Sequence, residues 1–345
     1  MTPGDLAVLA LLRGTHVAAL LVLAGTFGFR AVVLRGAPAP GLRRIAILAA
    51  VLALGLGGAW FLMEAAQLGR ADSLAGAFAT VPAMLTYFAF ARLLLLRLGL
   101  LTLALAGLLA VPAALPSGWR LVLLAGLACV ALGVQPWLGH AGAAAGVTGA
   151  VLVGAELMHL AGAALWLGGL PAFAFALRRM TGRGLVRTVQ RFSALALAAV
   201  LAIALGGAVE GWILVGGFAR LSGTGYGQTV LVKTALFAAA LCLAAVNRLV
   251  LTGRLDGPAA ALAHRRLRAT VAVETALGMA IVLTAGWLAD LPPGADLTAV
   301  ARSWPWRVAG LIVLLAGAGA LWFARPVGRS HSLQAGAVHD RPSPS

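Results

Sequence analysis

The chain has 345 residues, 61% of them hydrophobic and only 10% charged, with a mean hydropathy of +0.98. A soluble domain carries roughly a quarter charged residues, so this composition excludes one and points to a polytopic membrane protein. The net charge of +16 would suggest nucleic acid in a soluble chain, but here the arginines fall between apolar runs and report membrane topology instead.

Taken in chain order, nine apolar runs predict membrane-spanning helices at 6–29, 45–66, 93–114, 119–138, 146–177, 192–216, 229–250, 269–289 and 306–323. Each is about 20 residues or longer, the fourth and ninth barely so. Pro3, Gly4 and Asp5 make a poor basic leader and the first run is too long for one, so no cleaved signal peptide is expected. Cys129 and Cys242 lie inside apolar runs and read as small core residues rather than a disulfide. Residues 326–345, rich in Ser, Pro, Gly and His, read as a disordered tail.

Arginines cluster in alternate loops: Arg30, Arg35, Arg43 and Arg44; Arg178, Arg179, Arg183, Arg187 and Arg191; Arg248, Arg254, Arg265, Arg266 and Arg268; and Arg325, Arg329 and Arg341 at the end. The positive-inside rule makes these loops cytoplasmic, with the N-terminus outside and the C-terminus inside.

Two stretches repeat. Thr15-His16-Val-Ala-Ala-Leu-Leu-Val-Leu-Ala-Gly25 is echoed by Met158-His159-Leu-Ala-Gly-Ala-Ala-Leu-Trp-Leu-Gly168. Phe90 to Arg97 pairs with Tyr226 to Lys233, and Gly57-Gly58-Ala59 with Gly206-Gly207-Ala208. The expected fold is all-α: two parallel four-helix repeats, residues 1–138 and 139–290, plus an extra helix at 306–323, within a transmembrane domain 1–325.

Histidine is costly in a bilayer, so His16 and His159 are the leading site candidates. They lie on the order of 15 and 20 Å along their helices from the outer end, near the midplane, where imidazole could ligate a metal ion or haem iron. The plainer alternative is a histidine bonded to a backbone carbonyl as packing glue. Arg13 and Glu156 stand one turn outward of the two histidines with opposite signs, which invites an ion pair between the halves, a tie or a gate. Met158 beside His159, and Met63 beside Glu64, add thioethers that favour soft Cu(I). Glu64 and Glu210 are candidate relay groups, His140 is a candidate for capture in the outer loop, and Glu274 is expected to pair with Arg268 or a nearby loop.

The run His159-Leu-Ala-Gly-Ala-Ala-Leu-Trp166-Leu-Gly168-Gly169-Leu170 resembles the signature helix of the copper resistance protein D (CopD) family of bacterial inner membranes. Gly139-His140-Ala141 before it fits too, as do Arg191-Phe192-Ser193, Tyr226-Gly227 running to Lys233, and Asn247-Arg248 after it. A looser match runs through His16 and Arg97. Gly253 departs from the family's proline, and the chain has no fused copper-binding domain and no Met/His-rich outer segment. The resemblance implies copper movement across or into the cytoplasmic membrane, with His16, His140 and His159 as ligands and a periplasmic copper-binding partner of the CopC type.

No Walker A, GxSxG, HExxH or CxxC motif occurs, so the expected activity is transport rather than an enzymatic reaction. Import is favoured by the outward bias of the possible ligands. The alternatives are a haem-binding electron-transfer protein or oxidoreductase using the same two histidines, and a scaffold in which the polar residues only glue helices together.

Overall fold

In a bilayer the backbone has no water to bond, so a chain this apolar satisfies its amides within helices. The computed structural model describes residues 3–35, 39–110 and 118–295, and no strand occurs among them. In order the helices are α1 (Pro3–Gly28), α2 (Pro40–Gly69), α3 (Leu74–Tyr87), α4 (Ala89–Leu109), α5 (Trp119–Gly133), α6 (Gly146–Leu165), α7 (Leu170–Arg179), α8 (Gly182–Val215), α9 (Phe218–Gly223), α10 (Gly225–Val246) and α11 (Ala260–Leu288). Eight helical stretches are long and apolar enough to cross a membrane, with α6 and α7 forming one of them. They coincide in order with the first eight expected spans. The ninth expected span, 306–323, and the tail lie outside the described residues. The chain is a multi-pass membrane protein.

Helix ends differ from the hydropathy pattern in a consistent way. The eighth span begins at Ala260 rather than 269 and the sixth at Gly182 rather than 192, in both cases by taking an arginine-rich stretch into the helix. Hydropathy stops where charge starts, but a helix continues into the headgroup layer, where long arginine side chains reach polar surroundings. Two helices lie outside the expected spans, the six-residue α9 and the longer α3. Ser73 caps α3, its Oγ accepting from the Gly76 amide at 3.2 Å, and this 14-residue helix packs on α2 through buried Met84. It is too short to span.

Cys129 and Cys242 correct the sequence reading. Both are exposed on the outside of the bundle. In a membrane protein an apolar run may face lipid all along one side, so an apolar neighbourhood in sequence does not imply the core.

The centre of the bundle is α1, which packs against α2, α5, α6 and α11. Two of these contacts bring backbones together. A Cβ on Gly168 would sit 2.0 Å from the Leu21 carbonyl oxygen, and one on Gly25 would sit 2.3 Å from that of Ala164. At this crossing the fifth span breaks into α6 and α7: the turn Trp166–Gly169 leads into Pro171, which has no amide to donate and suits the first turn of α7. The indole of Trp166 is buried there, edge-on to Phe237 of α10 at 5.9 Å.

Gly168→Ala is therefore expected to lower stability by about 1–3 kcal/mol through overpacking, read as a lower unfolding midpoint in detergent. Gly154→Ala on the same span, where a Cβ would meet nothing within 4 Å, is expected to leave the midpoint unchanged.

Candidate functional site

The two histidines of the repeated stretches make the same bond. His16 Nδ1 donates to the Ala53 carbonyl of α2 at 2.8 Å, and His159 Nδ1 donates to the Ile203 carbonyl of α8 at 2.9 Å. Four residues after each carbonyl is a glycine with no room for a side chain beside the ring: a Cβ on Gly57 would lie 2.7 Å from the His16 ring, and one on Gly207 would lie 3.2 Å from that of His159. The glycine facing the second ring is thus Gly207, one position later than the sequence pairing of Gly57 with Gly206. With the Nδ1 proton committed to a carbonyl, Nε2 of each neutral ring carries the free lone pair.

The surroundings of the two Nε2 atoms differ. His16 is fully buried, its ring 5.8 Å from that of Trp60, and its Nε2 lies 3.4 Å from Nη1 of Arg97. Arg97, also fully buried, donates from that same nitrogen to Gln135 Oε1 at 2.9 Å. His159, by contrast, lines a cavity of about 450 Å³. Its polar wall is assembled from Arg13 of α1, Gln135, His140, Glu156 and His159 of α6, Glu210 of α8, and Tyr226 and Lys233 of α10, with α11 closing the far side. His16 does not line it. Glu156 is within electrostatic reach of both Lys233 and Arg97, and Glu210 turns a buried Oε1 into the site with no hydrogen-bond partner.

At the end of the bundle that carries His140, Arg13 joins two carboxylates, 3.4 Å from Glu64 and 2.7 Å from Asp290. The expected Arg13–Glu156 pair is absent among the described residues, because Asp290 and Glu64 reach the guanidinium first. Trp60 adds a second bond to Glu64, from Nε1 at 3.0 Å, and lies under the guanidinium at 5.0 Å. His140 sits edge-on to Tyr226 at 6.0 Å, with a buried Nε2 that makes no hydrogen bond. Burial holds its pKa below the usual 6.5; the Leu288 carbonyl opposes that shift, and Arg13 adds to it. Asp290 is pushed above the ordinary carboxylate range by burial, against the pull of Arg13.

Of the other sequence candidates, Met63 packs into the apolar cluster around Trp60 and Leu9, and Met158 is half-buried outside the cavity wall. Glu274 is buried and accepts from the Asn247 side chain, not from Arg268; Thr270 in turn donates to Asn247 Oδ1 at 2.5 Å. Beside this carboxylate is a second cavity, about 210 Å³, lined by Trp166, Phe192, Asn247, Arg248 and Glu274. The Trp166–Phe237 contact stands between the two cavities, Phe237 lining the first and Trp166 the second. Sequence reasoning missed Lys233, Tyr226, Gln135 and Asp290 as site residues. The signal for Lys233 was present, as a charge inside a span paired with Arg97.

Fold and site together define a multi-pass helical membrane protein with a cavity in its span whose largely apolar wall carries His159 and a few charged side chains. A family model for copper resistance protein D matches residues 186–288, and one for the copper resistance protein D-like N-terminal domain matches residues 2–150. The chain belongs to the copper resistance protein D family, and is a copper-handling membrane protein. The run His159 to Leu170 falls between the two matched segments. Comparison with curated proteins found no match, and neither did comparison with solved structures.

Two outcomes test this geometry. Arg13→Gln strands two carboxylates and is expected to cost about 3 kcal/mol, more than Asp290→Asn, which leaves Arg13 its Glu64 partner; unfolding midpoints give the order. A histidine held neutral leaves stability intact above its unfolded pKa, about 6.5, and loses it as pH falls below that value. Thermal stability is therefore expected to drop between about pH 7.5 and about pH 5, and His140→Asn to flatten the drop.

Proposed function

We propose that the larger cavity is a copper-binding station on a route through the bacterial cytoplasmic membrane, with His159 as its imidazole ligand and His140 as a separate capture residue at its outer end. The observation that carries this reading is that His159 lines a cavity shared with Glu156, Glu210 and Lys233 while its Nδ1 is fixed by the Ile203 carbonyl. A metal-binding imidazole is usually held this way, its second nitrogen donating to a carbonyl. His16 makes the matching bond but spends its Nε2 beside Arg97. In this reading it is a positioning residue that locks α1 to α2, and Met158 and Met63 are packing residues.

The positive-inside rule puts the His140 end outside, where a CopC-type periplasmic protein would hand copper over. Copper then passes from the cavity of His159, past the Trp166–Phe237 contact, to the cavity of Glu274, and the direction is import. Glu156 and Glu210 balance the charge of Lys233 along the way. The haem alternative on His16 and His159 requires both Nε2 atoms to face one macrocycle, and the placement of His16 Nε2 at Arg97 argues against it.

The test is metal analysis with an absorption spectrum on the purified protein loaded with copper under reducing conditions. Stoichiometric copper without a Soret band is expected in the parent and in His16→Ala. His159→Ala is expected to lose at least about tenfold in copper affinity, and to lose copper uptake into proteoliposomes. Copper binding unchanged in His159→Ala overturns the site, and a Soret band in the parent moves the protein to the haem class.

A further inference from the structure

On the arginine-rich end of the bundle, the last turn of α7 is tied to the beginning of α11 by a single polar bond, His264 Nε2 donating to the Leu177 carbonyl at 2.7 Å. Beside that bond is a third cavity, about 380 Å³, lined by Arg178 of α7, Arg265 and Arg268 of α11, and the alanines Ala174, Ala269 and Ala272. Arg265 and Arg268 lie one turn apart on α11, and Arg178 joins them from α7, far away in sequence. All three are exposed, no carboxylate lines the space they share, and the ion pairs formed among the described residues both use Arg13.

Guanidinium groups drawn around one space repel each other unless an anion occupies it. Their planar fork of donors fits phosphate oxygens in pairs. The depth of the cavity says which phosphate. α11 has 29 residues, about 43 Å of helix at 1.5 Å per residue, well beyond a hydrocarbon core of about 30 Å. Its first turns, with Arg265 and Arg268, therefore stand in the headgroup layer. Ala269 and Ala272 lie further along the helix toward the apolar region, where acyl chains begin. An orthophosphate ion uses only the arginines; a phospholipid uses both parts of the wall.

We propose that this cavity binds the phosphodiester headgroup of an anionic phospholipid in the leaflet at the arginine-rich end. Basic pockets between transmembrane helices are suited to such headgroups, and a lipid held here bridges α7 and α11. The site is separate from the copper cavity and does not depend on how that cavity works.

The full chain, purified in an uncharged detergent, is titrated with phosphatidylglycerol, with phosphatidylcholine and with inorganic phosphate, and followed by native mass spectrometry and thermal unfolding. Phosphatidylglycerol is expected to give a retained adduct and a raised midpoint, and the other two neither. The triple variant Arg178→Gln/Arg265→Gln/Arg268→Gln is expected to lose both effects. A control of equal charge change at the same end, Arg183→Gln/Arg187→Gln/Arg254→Gln, is expected to keep them. The triple lysine variant at 178, 265 and 268 preserves charge and is expected to weaken the adduct at least about threefold, because a point charge replaces the fork. Equal loss in the control variant, equal retention of phosphatidylcholine, an undiminished adduct in the lysine variant, or a midpoint raised by phosphate with no lipid adduct each overturns the proposal.

Discussion

A buried imidazole has to satisfy two ring nitrogens in a bundle whose backbone groups are already committed to helices. This chain solves the problem twice by using the spare lone pair of a helix carbonyl, Ala53 for His16 and Ile203 for His159. The bond works only if the neighbouring helix comes close, which is why Gly57 and Gly207 follow one turn later. It fixes the separation of α1 from α2 and of α6 from α8, decides the tautomer, and leaves Nε2 as the acceptor on both rings. The cations Arg97 and Lys233, placed deep in α4 and α10, are arranged around the result.

The same frame is filled in one half and hollow in the other. Three residues beyond the contact glycine stands Trp60 in the first case and Glu210 in the second; seven residues before the cation stand Phe90 and Tyr226. Trp60 and Phe90 meet edge to face at 5.5 Å, and with Arg97 they close over His16. Replacing the indole with a carboxylate removes that stopper and leaves a volume that apolar packing does not fill, lined by His159, Glu210, Tyr226 and Lys233. A glutamate with an unpartnered buried oxygen is a stability cost. In the copper reading proposed above, that oxygen faces the place where a cation would be received. The filled half closes around His16, and the hollow half leaves the cavity of His159.

Much of this was legible in the sequence because membrane helices announce themselves by length, and because buried charge is rare enough there to be informative. The eight described spans, the paired histidines and the pairing of Arg97 with Lys233 all came from pattern. The failures share a physical cause. Hydropathy cannot separate a face toward lipid from a face toward protein, so Cys129 and Cys242 were read inward when they face outward. Nor does spacing along a helix say which partner arrives first, so Arg13 was matched to Glu156 although Asp290, after the end of α11, takes the guanidinium at 2.7 Å. The sharpest difference, that only one of the two paired histidines opens on a cavity, depends on Trp60 and Glu210, residues on other helices that the histidine stretches do not include.

The charges around the cavity bear on which copper ion the proposed station would take. The cavity wall holds two carboxylates, Glu156 and Glu210, and two cations, Arg13 and Lys233, so its side chains balance in formal charge. A monovalent cation bound at the His159 imidazole adds one positive charge to that balance. A divalent one adds a second positive charge beside Lys233, and at a separation on the order of 5 Å with an effective dielectric of about 20 the extra repulsion is about 3 kcal/mol. This is about two powers of ten in affinity, at 1.4 kcal/mol for each tenfold step.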